Sequence, residues 1–338
     1  MKKIFNLLIV VAMVFATVCL TGCNNKKEDK ITIVATSFPG YDFARAVTKD
    51  ITNVEVKMLL KPGAEMHDYE PTPQDIKTIK NSDMFIYVGG DSDEWIEDVI
   101  EDINVDETKI IKLMDLVDVV EEELVEGMEE HDHDHEDHDH EDHDHEKHED
   151  HDHEEHHHED EEVEYDEHVW TSPVNAIKIV KSLKDEIIKM DESNKESYEN
   201  NTQEYVSKLE NINKQIKDVV KNAKRTEVVF GDRFPLRYFV DTYNLSYYAA
   251  FPGCSEQTEA SAKTISFLIE KVKEDKIPVV FHIELSNGKI ADTIAKETGA
   301  KVLEFNSAHN ITQSDFDAGV TYVDIMEKNI SVLKEALN

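Results

Sequence analysis

The chain has 338 residues, of which 33% are charged, and a formal net charge of −38 at pH 7. This length is enough for two domains of ordinary size. The charge excess is local: residues 121–167 hold 27 Asp and Glu against one Lys, which contributes −26 and leaves −12 for the remainder. The chain has no basic patch or stripe, so its charge pattern argues against a nucleic-acid-binding protein.

The first 22 residues have the pattern of a bacterial lipoprotein signal peptide. Lys2 and Lys3 precede an apolar run over residues 4–18, and a small-residue segment then ends at Cys23. The run is shorter than the ~20 residues that a membrane-spanning helix needs. We therefore expect lipid on Cys23, a polar tether over 23–30, and a protein anchored to the outer face of the cytoplasmic membrane. A signal peptide without lipidation is the alternative.

Residues 31–171 predict a first α/β lobe. Short apolar segments predict strands over 31–36, 54–60, 84–89 and 108–114. Residues 38–40 predict a turn, and helical patterns follow over 41–50 and 71–82. Because strands and helices alternate, we expect a parallel sheet covered by helices.

An acidic, histidine-rich tract interrupts this lobe over about 121–164. Residues 129–162 contain only Glu, Asp, His and one Lys, so this part cannot bury apolar surface and is predicted to be disordered. Imidazole suits Zn²⁺, Cu²⁺ and Ni²⁺, so the tract is predicted to bind metal, with an inert acidic linker as the alternative. It holds 13 of the 17 histidines: His131, His133, His135, His138, His140, His143, His145, His148, His151, His153, His156, His157 and His158.

After the tract, residues 172–224 predict a long, glycine-free helical spine with a break near 191–194. Residues 225–338 predict a second α/β lobe, with strands over 227–230, 245–251, 277–283 and 300–305 and helices over 234–243, 258–275, 287–298 and 316–336. The predicted fold is therefore α/β, with two lobes that each hold a parallel sheet flanked by helices, joined by a long rigid linking helix. A cleft between such lobes is a natural binding site.

Four histidines lie outside the tract: His67, His168, His282 and His309. Each lies at a predicted strand end or in a segment that joins strand to helix, and none lies on a helical face. A lone histidine is more often a structural residue, but four imidazoles can complete a tetrahedral zinc shell. Cys254, the single cysteine of the mature domain, can form neither an internal disulfide nor a Cys-type zinc site, and we interpret it as structural, with a position near the metal as the alternative.

Two motifs carry a family resemblance. The chain resembles the solute-binding lipoproteins of zinc and manganese ABC transporters, the zinc-specific branch in particular, over roughly residues 31–336 apart from the tract. GAEMHDYEPTPQDI, residues 63–76, resembles the first-ligand motif with His67 as ligand, and DEHVWTSPVNA, residues 166–176, resembles the second with His168. The family also places a His-rich acidic loop just before the second motif. The resemblance implies two α/β lobes, a rigid linking helix and one metal in the cleft.

The third motif departs from the family pattern. Zinc members usually open the second lobe with a His-Asp pair, whereas this chain has Gly231 followed by Asp232. We choose His282 as the replacement ligand, and His309 occupies the loop of the fourth family ligand. Glu284 and Asp232 are reserve ligands or hydrogen-bond partners of the ligating histidines. An all-imidazole shell favours Zn²⁺ over Mn²⁺.

We expect a monomeric, non-enzymatic lipoprotein that captures Zn²⁺ with high affinity in the cleft and delivers it to an ABC transporter permease. The tract would act as a metal collector by raising the local concentration of zinc. Alternatives are a manganese-binding homologue and a surface zinc buffer or adhesin without a transport partner. A zinc hydrolase is disfavoured, because the chain has no H-E-x-x-H motif and four histidines leave no open position on the metal.

Overall fold

The structure, a computed structural model, describes residues 30–66, 69–101, 108–128, 164–255 and 259–338. The first lobe contains strands β1 (Ile31–Ala35), β2 (Val54–Met58), β3 (Met84–Tyr87) and β4 (Lys109–Lys112), with helices α1 (Phe38–Val47), α2 (Pro73–Lys80) and α3 (Trp95–Glu101). All of its strand pairs are parallel, in the order β2-β1-β3-β4. The predicted signal peptide, Cys23 and the tract histidines lie outside the described residues.

Two helices, α4 (Pro173–Met190) and α5 (Lys195–Lys221), connect this lobe to the second one. The second lobe contains β5 (Glu227–Phe234), β6 (Ser246–Pro252), β7 (Val279–His282) and β8 (Lys301–Glu304). Its helices are α6 (Arg237–Tyr243), α7 (Ala262–Glu274), α8 (Lys289–Thr298), α9 (Gln313–Ala318) and α10 (Tyr322–Ala336). Its strands are also parallel, in the order β6-β5-β7-β8.

The two sheets therefore share one topology, in which the first strand of each lobe lies between the second and the third. This confirms the predicted α/β fold with two parallel sheets flanked by helices. In both sheets the carboxyl ends of the strands lead into loops that are free to form a binding site.

The linking passage is broken where the sequence suggested. A single turn of 3-10 helix over Glu192–Asn194 separates α4 from α5. The Asp191 carboxylate stabilises the break by accepting hydrogen bonds from Asn194 Nδ2 at 2.7 Å and Tyr198 Oη at 2.8 Å. These bonds hold the pKa of Asp191 below its usual value against the opposing effect of burial. Both helices bury an apolar stripe, which contains Val180, Leu183, Ile187, Tyr205, Leu209, Ile212 and Ile216.

Two local predictions are wrong. Residues 38–40 form the first turn of α1 rather than a turn before it, because Pro39 needs no intrahelical partner there and Gly40 packs closely on β3. A Cβ at Gly40 would lie 3.1 Å from Ile86 Cγ2. The predicted last helix, 316–336, is two helices, since Gly319 adopts a left-handed conformation (φ 73°) after α9.

Across the described parts of the chain, no helix combines the length and apolar character needed to cross a membrane.

Candidate metal site between the lobes

His168 is positioned by a short segment that we call the neck, residues 120–123 and 164–167. Its two sides meet in an antiparallel bridge between Glu121 and Tyr165, flanked by hydrogen bonds of 3.0 Å on either side. Tyr238, from α6 of the second lobe, donates to the Asp166 carbonyl at 2.6 Å. The neck thus holds His168 against the second lobe, immediately before α4 begins.

The His168 ring is fully buried and oriented by its neighbour Asp166. The Asp166 carboxylate accepts the His168 backbone N–H at 2.8 Å, and the same oxygen lies 3.2 Å from His168 Nδ1. Burial alone would lower the pKa of His168, but the carboxylates of Asp166, Glu167 and Glu122 together outweigh it and the pKa is raised. A carboxylate on Nδ1 is the usual support of a histidine that ligates a metal through Nε2.

His309 is presented by the loop that follows β8. The preceding residue, Ala308, has a left-handed backbone (φ 59°), which is uncommon for a residue other than glycine. Glu284, two residues after β7, fixes this loop by accepting hydrogen bonds from Ser307 N and Oγ, both at 2.7 Å, and from His309 N at 2.9 Å. Glu284 is thus a positioning group for His309.

The two imidazoles meet although they are 141 positions apart in the sequence. The ring centres of His168 and His309 lie 5.4 Å apart, and both rings contact Trp170, at 5.4 and 5.6 Å. Trp170 in turn donates its indole N–H to the Ser307 carbonyl at 2.9 Å. Burial, together with the positive charges of His168 and Arg233, holds the pKa of His309 well below its usual value. A neutral imidazole is the form that binds metal.

The structure does not bring His282 to this pair. Phe281 packs in the main core with Phe230 and Phe305, so its neighbour on β7 faces the opposite side, toward α8. The His282 ring is half-buried: its Nδ1 lies 2.8 Å from the Ile283 carbonyl oxygen, and a Cβ at Gly288 would lie 3.6 Å from its Cδ2. We therefore do not retain His282 as the replacement ligand.

The structure also explains why position 231, where the family pattern has histidine, holds a glycine. The pairing of β5 with β6 is irregular between Phe230 and Arg233, and Gly231 faces α8 at that point. A Cβ on Gly231 would lie 2.5 Å from the backbone of Ala291, so no side chain fits there unless α8 moves. Asp232 accepts the backbone N–H of Arg233 at 2.9 Å and that of Ile283 at 3.4 Å, which ties β5 to β7.

Sequence reasoning missed two residues beside His168. Within the described segments, one group of metal-binding side chains has ligand atoms all within 4.8 Å of one another: Glu167, His168 and Cys254. Burial, and next the negative charge of Glu167, raise the pKa of the Cys254 thiol well above its usual value. Burial likewise raises the pKa of Glu167 to about 7. Glu167 adjoins a predicted ligand, and proximity to the metal was only the alternative interpretation of Cys254, because no motif places it beside His168.

His67 and Asp68 lie outside the described residues, but the segment before them is held against the second lobe. Asn310, next to His309, donates through Nδ2 to the carbonyl oxygens of Lys61 and Ala64, both at 2.8 Å. Arg233 and Glu65 form an ion pair at 2.6 Å. Residues 61–65, which begin the first-ligand motif before His67, therefore lie against the second lobe beside the loop of His309.

Comparison with known proteins identifies the family. Residues 33–336 match the family described as ZnuA, zinc-uptake complex component A periplasmic. The chain belongs to the ZnuA family. It is 33% identical over 316 residues to the high-affinity zinc uptake system protein ZnuA of Bacillus subtilis, which covers 94% of this chain and 90% of that protein. The predicted family resemblance is thus confirmed.

The chain is also similar to other zinc-binding proteins. The zinc-binding lipoprotein AdcA of Streptococcus pneumoniae is 32% identical over 338 residues, which cover 99% of this chain but only 61% of AdcA. The solved structure of the Zn(II)-bound ZnuA-like domain of AdcA is 28% identical, with a TM-score of 0.69, and the match covers 91% of this chain and 99% of that domain. The two-lobed architecture is therefore that of ZnuA-like domains.

Proposed function

We propose that this chain captures Zn²⁺ between its lobes, with His168 and His309 as ligands, and delivers it to an ABC transporter permease. The observation that carries the proposal is the pair of buried imidazoles whose ring centres lie 5.4 Å apart. Zn–N bonds of about 2.0–2.1 Å place the centres of two rings on one tetrahedral zinc roughly 5 Å apart. The pair therefore needs little rearrangement to share one ion.

His67 is proposed as a further ligand. Support comes from the hydrogen bonds of Asn310 to Lys61 and Ala64, which join the chain just before His67 to the loop of His309. Together with His168 of the first lobe and His309 of the second, this would draw ligands from both lobes, so that the ion itself would hold the lobes together. An imidazole-rich shell supports zinc over manganese as the cargo.

The transport role is supported by relatives that are named for zinc uptake and zinc binding. In this proposal the chain is a monomer and not an enzyme, and lipid on Cys23 holds it at the outer face of the membrane beside the permease. The tract of residues 129–162 serves as a collector, whose many weak imidazole and carboxylate ligands raise the zinc concentration near the cleft.

The test is metal stoichiometry on the parent and on a variant that lacks residues 129–162, measured by competition with a zinc chelator. We expect one tight zinc per chain in the variant, and its loss on His168→Ala or His309→Ala. Manganese added in place of zinc should bind more weakly. If the shortened variant retained no tight zinc, the tract itself would be the functional metal site and the cleft proposal would fail. Tighter binding of manganese would instead favour a manganese transporter.

A further inference from the structure

The second lobe places a sulfur atom beside the proposed ligands. The Cys254 sulfur belongs to the group of ligand atoms, with those of Glu167 and His168, that all lie within 4.8 Å of one another. Around a tetrahedral zinc, Zn–N bonds of about 2.0 Å and Zn–S bonds of about 2.3 Å put neighbouring ligand atoms roughly 3.3–3.8 Å apart. A closure of at most roughly 1.5 Å would therefore bring sulfur and nitrogen onto one ion.

The backbone around Cys254 approaches His168 closely, because the loop after β6 begins with glycine. A Cβ on Gly253 would lie only 3.2 Å from His168 Cε1, so the loop comes into contact with the imidazole. The Cys254 backbone N–H donates to Glu122 Oε1 of the neck at 3.3 Å. The loop and the neck thus hold Cys254 and His168 side by side.

A sulfur ligand would also replace the histidine that is missing from the third motif. Gly231, where the family pattern expects histidine, lies so close to Ala291 that no side chain fits in this backbone. His282, the other histidine of this part of the lobe, faces α8. Among the described residues, Cys254 joins His309 as a second-lobe side chain beside His168, and it is the one grouped with Glu167 and His168.

We propose that the Cys254 thiolate is a ligand of the cleft metal and takes the place of the missing third histidine. This inference rests on the proposed capture of zinc in the cleft. On binding, Zn²⁺ forms a bond to sulfur while the S–H bond breaks and its proton leaves to solvent, with no change of oxidation state. A mixed sulfur and nitrogen shell selects thiophilic divalent cations, zinc and cadmium, and disfavours manganese.

The first measurement is the absorption spectrum of the Co²⁺-loaded full chain, parent against Cys254→Ser. A thiolate on cobalt gives a sulfur-to-metal charge-transfer band in the near ultraviolet, which imidazole and carboxylate ligands of the tract do not give. We expect the band in the parent and its loss in the variant, with a zinc affinity at least tenfold weaker. A parent without the band would overturn the proposal.

The second measurement needs no variant. One equivalent of zinc should slow alkylation of Cys254 in the parent at least tenfold, as followed by mass spectrometry of the peptide that contains it. Cys254→His, which offers a nitrogen ligand, should recover most of the zinc affinity without the charge-transfer band. Equal alkylation rates with and without zinc would count against a bound thiolate even if Cys254→Ser failed to fold.

The zinc affinities of four proteins separate this inference from the proposed function. If His168→Ala and His309→Ala lose zinc while Cys254→Ser keeps it within twofold, the cleft binds zinc without sulfur and only this inference fails. If all three variants match the parent, the cleft holds no tight zinc and the proposed function fails with it.

Discussion

The ends of β7 and β8 each present a histidine, and the two have different surroundings. His309, after β8, is buried, contacts His168 and Trp170, and sits in a loop fixed by Glu284. His282, the last residue of β7, is half-buried and lies against Gly288 before α8. Strand ends attract ligand-binding residues, but the alternation of side chains decides which of them face the cleft.

The largest expected effect is that of His309→Ala on zinc binding. Replacing even a residue that supports a metal ligand typically weakens binding 10–100-fold, so the loss of a ligand should cost at least about 100-fold. Chelator competition on the shortened variant would measure it without interference from the tract. A change below threefold, in a protein with parent-like circular dichroism, would contradict the role of His309.

A smaller effect is expected from Glu284→Gln. The Glu284 carboxylate accepts three hydrogen bonds, and the amide nitrogen of glutamine would face an N–H or O–H donor in at least one of them. Leaving a buried donor without an acceptor costs about 1–3 kcal/mol in the free energy of unfolding, and we expect the loosened loop to weaken zinc binding about tenfold.

The matched control for that change is Glu304→Gln, at the exposed end of β8. It should leave zinc affinity and stability close to those of the parent. If the two glutamine variants behaved alike, the positioning role of Glu284 would be wrong.

The burial of His309 should also affect how the free energy of unfolding of the metal-free protein depends on pH. Burial holds its pKa well below 6.5, so below that pH the unfolded chain takes up a proton that the folded chain excludes. His309 therefore stabilises the fold above pH 6.5, and this contribution falls as the pH is lowered toward the folded pKa, by at most about 1.4 kcal/mol per pH unit. His309→Gln should remove this part of the pH dependence.

Urea denaturation with chelator present, at several pH values from 7.5 to 5.5, would measure that difference. The relevant quantity is the free energy of unfolding of the parent minus that of the variant at each pH, because other groups titrate in both proteins. Parallel loss of stability in the two proteins would show that His309 accepts its proton in the folded state.

The smallest expected effect is that of His282→Ala. Since the ring faces α8, the variant should bind zinc within twofold of the parent in the same competition assay. A tenfold loss would restore His282 to the ligand set and would remove the distinction between the two strand ends.

The sequence predicted the fold well because its periodicities are local. Short apolar runs predict all eight strands, and the glycine-free passage over 172–224 predicts the two linking helices with their break near 191–194. Residues 38–40 were misread, since glycine and proline suggest a turn unless one knows that Gly40 must pack against Ile86.

The site was harder to predict than the fold. His168 and His309 were chosen from motifs and from their position after predicted strands, and the structure places their rings together. The choice of His282 neglected the direction of the side chain on β7. A position of Cys254 near the metal could be only an alternative, because its approach to His168 depends on Gly253 and on packing between segments 86 positions apart.

The neck has a consequence for the length of the insertion that it closes. Since backbone hydrogen bonds join residues 120–122 to residues 164–166, the ends of the intervening segment are fixed next to each other whatever its length. The entropy of closing a flexible loop grows only logarithmically, by about 0.6 kcal/mol for each doubling of length. A change in the number of residues between the two sides of the neck should therefore alter the free energy of folding only slightly.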